Sequence, residues 1–117
     1  MTTKSVAGEH LPANEVRLVG RVSGRPEERV LPSGDRLVTF RVVVVRDQRR
    51  GRQTVDALEC VAWSARSRRS VSRWDHGDVV ELSGSLRRRF YRAGATTVSR
   101  VEVETSRARL IRRAATA

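Results

Sequence analysis

Arg87, Arg88 and Arg89 run directly into Phe90 and Tyr91, with Arg92 next and a turn signal at Ala93-Gly94. Four guanidinium groups therefore flank two of the five aromatic rings in the chain. Guanidinium groups neutralise phosphates, and an aromatic face gives a nucleobase a surface to stack on. Each stacked base contributes about 1–3 kcal/mol without regard to base identity. A solvated arginine face beside a core aromatic would use the same residues, and only the position of the tract in a fold separates the two readings. A second group of cations, Arg49, Arg50 and Arg52 around Gly51, offers phosphate contacts without a ring.

Residue types for catalysis are present but not arranged for it. His10 and His76 have no cysteine or second histidine at ligand spacing, so no metal site is expected. Glycines occur singly, which excludes a phosphate loop and a dinucleotide fingerprint, and no cofactor is expected. The best acidic candidates for a metal-dependent nuclease are Asp47, Asp56 and Glu59, and strand parity puts Asp56 and Glu59 on opposite faces. Ser64, His76 and Asp78 supply triad residue types with nothing to orient them. Cys60 is the lone cysteine and lies in a strand pattern, where a buried hydrophobe is the expected role. The reading is of a binding protein, not an enzyme.

Charge says what it binds. Lys+Arg total 24 against 13 Asp+Glu, a formal charge of +11, and Lys4 is the only lysine. The imbalance points to a polyanion, either nucleic acid or an acidic membrane surface. Arginine suits bidentate phosphate contacts and stacking on bases, although GC-rich coding would also enrich Arg and Ala. No apolar stretch reaches signal-peptide or bilayer-spanning length, so a cytoplasmic, nucleoid-associated location and no membrane partner are expected.

The elements that must position these residues follow from periodicity. Residues 1–13 read as a flexible leader. From Asn14, Val16, Leu18, Gly20 and Val22 alternate with Arg17, Val19 and Arg21, which predicts a strand with one buried face. Turn signals surround a short segment, Glu27–Leu31. The longest strand is predicted over Arg36–Arg46, with Val38, Phe40, Val42 and Val44 inward and Arg41 outward. The apolar run Val42–Val45 suggests burial on both sides, across a barrel or against another subunit. Asp47–Gln53 reads as a charged loop.

A strand over Thr54–Trp63 turns Leu58, Cys60 and Ala62 inward and leaves Trp63 on the opposite face, as a binding platform or the closure of a second small core. Ser64 is placed to cap a helix running to Trp74, anchored by Val71 and Trp74. Val80, Leu82, Gly84 and Leu86 form the core row of a fourth strand that continues into the arginine tract. A fifth strand returns over Thr97–Glu104, and Leu110 and Ile111 offer a last apolar contact. The chain is therefore expected to be all-β: a five-stranded antiparallel barrel of the OB type over residues 14–112, with one short helix between the third and fourth strands and a short tail, 113–117. OB barrels bind oligonucleotides on the face of their second and third strands and in flanking loops, and here the last hairpin carries the tract.

The residues Asn14-x-Val16-x-Leu18-x-Gly20-Arg21, Pro26-Glu27-x-Arg29, Ser33-Gly34, Phe40, Cys60-Val61-Ala62-Trp63, Gly77-Asp78-x-Val80 and Gly84-x-Leu86-Arg87-x-Arg89 resemble bacterial single-stranded DNA-binding proteins from Asn14 to Leu110. The resemblance implies an OB fold, no catalysis, and sequence-tolerant binding of single-stranded DNA in replication, repair or recombination. It also implies a homo-oligomer, tetramer or dimer. Its stacking positions fall on Trp63 and on Tyr91 or its neighbour Phe90. The candidate contacts are then Arg21, Arg41, Arg46, Arg49, Arg50, Arg52, Trp63, Arg87, Arg89, Phe90 and Tyr91, with Arg88 pointing the other way.

Ala57 and Gln48 stand where family members often carry further aromatics, so stacking should be thinner and electrostatics heavier. Arg100 stands near a position that is often acidic. The chain ends at Ala117 without the long linker and acidic tip of the main replication proteins, so recruitment of replication partners through such a tip is not expected. A primosome-type OB protein and a structural partner of a full-length paralogue are the alternatives, and RNA stays open as a ligand because stacking ignores the sugar.

Overall fold

The alternating rows build six strands and one helix: β1 (Val16–Val22), β2 (Glu27–Val30), β3 (Arg36–Arg50), β4 (Gln53–Ala62), α1 (Ala65–Val71), β5 (Val79–Ala93) and β6 (Thr96–Arg112). The structure, a computed structural model, describes residues 11–115, apart from the side chains of residues 48–50 and 53. Most of the expected leader, and the end of the expected tail, lie outside the described residues.

Pairing runs in the order β1-β5-β6-β4-β3, and β3 closes back on β1 through Arg21↔Val43 and Val22↔Val42. These five strands form a closed barrel, while β2 adds to the free edge of β3. The expectation of a wholly antiparallel barrel is corrected at one seam, because β4 and β6 run parallel with Cys60 opposite Val103. Parallel neighbours need a crossover of a dozen residues or more, and α1 with β5 supplies it.

The inward rows meet as read. Val22, Val38, Phe40, Val42, Cys60, Ala62, Val80, Leu82 and Val103 are buried, and Val71 and Trp74 plug the barrel end. The Trp74 ring meets Phe40 edge-on, with centroids 5.5 Å apart. Ser64 caps α1 by accepting from the Ser67 N–H at 3.1 Å, but the helix stops at Val71, short of Trp74. Closure needs two bare backbones. A Cβ on Gly20 would sit 2.3 Å from the Val43 carbonyl oxygen, and one on Gly84 would sit 1.9 Å from that of Glu104.

Three further points differ from the sequence reading. The expected loop Asp47–Gln53 is largely strand, with a turn at Gly51-Arg52 and Arg50 paired to Gln53. Alternating charge along those residues hid the strand pattern. β6 runs on to Arg112 because the ladder shifts register between Ser83 and Gly84, which resets parity and lets Ala108 and Leu110 pack on the core. Leu86, expected in the core, is 47% exposed, because the barrel ends near Gly84 and β5 and β6 continue as a free arm. The radius of gyration is 17.0 Å, against about 13 Å for a compact chain of this length.

Candidate nucleic-acid interface

The outer face of β5-β6-β4-β3 is the side away from the core. On the arm, pleat alternation puts Arg87, Arg89 and Tyr91 on this face with Arg100, Glu102 and Glu104 of β6. Trp63 follows directly on β4, at the foot of that face. Arg68 holds it there by donating from Nε to the Trp63 carbonyl oxygen at 3.0 Å. A cleft of about 650 Å³ opens between these side chains and β2–β3, walled by Trp63, Arg89, Tyr91, Arg100, Glu102, Glu59, Thr39 and Arg29.

The Trp63 ring is half-buried, and its indole N–H is enclosed without a hydrogen-bond partner among the described residues. The Arg89 guanidinium lies over the ring, 4.9 Å from its centroid. Glu102 pins Arg89 by an ion pair, and Glu104 approaches it at 3.5 Å. Tyr91 is 41% exposed, with the Arg100 guanidinium 5.6 Å from its ring centroid. Both rings thus carry a cation, an arrangement worth about 0.5–1 kcal/mol at exposed sites.

The other candidates divide. Arg87 shares the cleft face and pairs with Glu104 at 3.2 Å, and Arg41 pairs with Glu59 at 2.6 Å. Phe90 contributes to the cleft wall, but alternation sends its ring to the opposite face with Leu86 and Arg88, where it is 67% exposed. Arg88 there donates to the Ser99 hydroxyl at 3.1 Å. Arg46 lies on the face opposite Arg41 and is paired with Asp56 at 2.7 Å. Arg21 reaches only the Gly77 carbonyl oxygen, at 3.4 Å, and Arg52 is exposed in the β3–β4 turn. The side chains of Arg49 and Arg50 lie outside the described residues.

Arg29, Arg100, Glu59, Glu102 and Glu104 were not among the candidate DNA contacts, Glu59 having been weighed only as an acidic residue for a metal-dependent nuclease. The first three belong to strands whose outward parity could have named them. Glu102 and Glu104 follow from Arg100 by the same alternation once Arg89 and Arg100 are seen to be opposite each other.

Burial pushes the Cys60 thiol up to about 12, with Glu59 and Glu102 adding to the shift. Among the described residues, no three His, Cys, Asp or Glu side chains group as metal ligands.

The model of the Single-strand binding protein family matches residues 13–111. The chain belongs to that family. It is 31% identical over 80 residues to single-stranded DNA-binding protein A of Bacillus subtilis (strain 168), covering 67% of this chain and 46% of that one. Single-stranded DNA-binding protein 3 of Listeria innocua is also 31% identical over 80 residues, with 67% and 50% covered. The chain thus spans about half the length of the curated relatives it matches. Among solved structures, the Plasmodium falciparum SSB in complex with ssDNA superposes with a TM-score of 0.71 at 19% identity, covering 88% of this chain and 98% of that one. That likeness establishes the barrel, and with the closed five-strand topology it identifies an OB-type fold.

Proposed function

We propose that this protein binds single-stranded DNA without sequence specificity, in replication, repair or recombination, and that the cleft on the outer face of the barrel is where bases stack. The observation that carries this reading is the pairing of Trp63 and Tyr91 on one cleft, each ring overlaid by an arginine. An incoming base can replace the guanidinium on the ring, and the displaced arginine is then beside the strand's phosphates. Family membership and the names of its relatives support the same ligand. The cleft carboxylates Glu59 and Glu102 are engaged by Arg41 and Arg89, which fits a reading of binding without chemistry.

Titration of the protein with short oligo-dT, followed by tryptophan emission, tests the reading. Trp63 should be quenched, while Trp74, in the core, reports little. Replacing Trp63 by Ala should weaken binding by about 1–3 kcal/mol, roughly 5- to 150-fold. Equal affinity of the parent and the Trp63→Ala variant would remove the cleft from the site.

A further inference from the structure

A second cleft, of about 630 Å³, lies between α1 and the outer edge of β5–β6. It is lined by Arg66 from the helix, Arg107 and Arg109 from β6, and Ser70, Ser83 and Ser106, of which Ser106 donates its hydroxyl to the Ser83 carbonyl oxygen at 3.1 Å. Among the described residues, neither the Arg66 nor the Arg107 side chain has an ion-pair or hydrogen-bond partner. The only carboxylate in the lining, Glu81, is already neutralised. Arg109 pairs with it, Arg17 donates to it at 2.6 Å, and those two hydrogen bonds hold its carboxyl below the usual carboxylate range. The groove contains no aromatic ring.

Its position ties it to the Trp63 cleft. Arg66 lies three residues beyond Trp63, a chain reach of about 10 Å. On the other wall, the parallel register puts Thr105 beside Ala62, so Ser106 and Arg107 continue β6 just past the level of Trp63. A strand leaving the tryptophan in this direction meets unpaired guanidinium groups, which suit a phosphodiester backbone, and no aromatic ring.

We infer that the α1–β6 groove is a phosphate-binding extension of the site, in which Arg66 and Arg107 take the backbone of a single strand whose bases are stacked at Trp63. The inference rests on the proposed function. It adds a track that reads charge alone and is reached only by strands long enough to leave the first cleft.

The test is a length series of oligo-dT, from about 4 to about 16 nucleotides, titrated across salt with the parent and the Arg66→Ala/Arg107→Ala variant. The shortest strand should bind both equally, with the same quenching of tryptophan. The longest should bind the variant more weakly, with a log–log salt slope shallower by about 1.4, two phosphates at about 0.7 each. An Arg69→Ala/Arg73→Ala variant removes the same charge outside the groove and should leave that slope close to the parent's. Equal losses in the two variants, equal losses on short and long strands, or no loss at all would each overturn the groove. If the parent binds none of the strands, the failure belongs to the proposed function instead.

Discussion

The Trp63 cleft and the α1–β6 groove are both rich in arginine, yet at the first Arg41, Arg87 and Arg89 are each answered by a carboxylate. Arg87 faces Glu104, Arg89 faces Glu102 and Glu104, and Arg41 faces Glu59. In the groove, Glu81 is spent on Arg17 and Arg109, and Arg66 and Arg107 stay unpaired. Exposed ion pairs of this kind contribute only about 0–1 kcal/mol each, so a phosphate can displace them. Each displacement leaves a carboxylate beside an anionic strand, and the exchange yields little. Arg100, over Tyr91, is the cleft arginine with no carboxylate partner among the described residues, so the cleft relies on its rings more than on charge, and the groove on charge. A formal charge of +11 overstates what the cleft can use.

The largest expected effect comes from separating the two regions mechanically. Asp78 is buried and pins the end of β6 to the segment after α1. It accepts from the N–H groups of Asp75 and Ala114, each at 2.8 Å, and from Arg113 at 2.9 Å. Burial pushes its carboxyl up, but the two backbone donors and Arg113 outweigh that and leave it below the ordinary value. Replacing Asp78 by Ala should cost about 2–4 kcal/mol of stability, because two backbone donors and Arg113 lose their acceptor. It should loosen the groove wall while sparing base stacking at Trp63. The acid dependence has a definite sign. A carboxyl depressed in the folded state contributes fully above its unfolded value, near 4, and the contribution is lost as pH falls through the lower folded value. Urea titrations from pH 6 down to pH 3 should show the parent losing stability over that window. The Asp78→Ala variant should show a shallower decline, and a parallel one would break the assignment.

Within the cleft, the next effect separates its two neighbouring rings. Tyr91 is on the face of Trp63 and Phe90 is on the other, so Tyr91→Ala should weaken short oligo-dT by about 1–2 kcal/mol, roughly tenfold. Phe90→Ala should change it by less than about 0.5 kcal/mol, the range of surface substitutions away from a site. The reverse order, measured by fluorescence anisotropy, would move the base platform to the outer side of the arm.

Much of this was legible in the sequence, and the rest was hidden for identifiable reasons. Rows such as Val38-Phe40-Val42 and Val80-Leu82 fix the inward faces, because a period of two has one solution when one face is buried. The same parity puts Trp63 outside and divides Arg87 and Arg89 from Arg88. The parallel β4–β6 seam was not legible, since strand order is decided by how the barrel closes and leaves no local pattern. The bulge at Ser83/Gly84 shifts parity midway and disguised the second half of β6. The carboxylates were the main omission. Attention to arginine as the phosphate ligand passed over Glu102 and Glu104, two residues apart on the strand facing the tract. The expectation of thinner stacking and relatively heavier electrostatics took no account of that pairing.

The smallest effect is the most direct test of the contrast between the two regions. In the parent, Arg89 is held by Glu102, whose side chain is 15% exposed, and turning to a phosphate vacates that carboxylate. The strand releases a cation and the vacated carboxylate takes one up, so this contact adds almost nothing to the salt slope. In a Glu102→Gln variant, the uptake disappears. Binding of short oligo-dT should tighten by a few-fold, and the log–log slope should steepen by about 0.7, the increment of one phosphate on a single strand. The same substitution should not alter the additional slope contributed by long strands, because that arises in the groove, where Arg66 and Arg107 have no carboxylate to abandon. A weaker complex would mean that Glu102 positions Arg89 as part of the stack. An unchanged slope would mean that Arg89 stays on Glu102 when the strand binds.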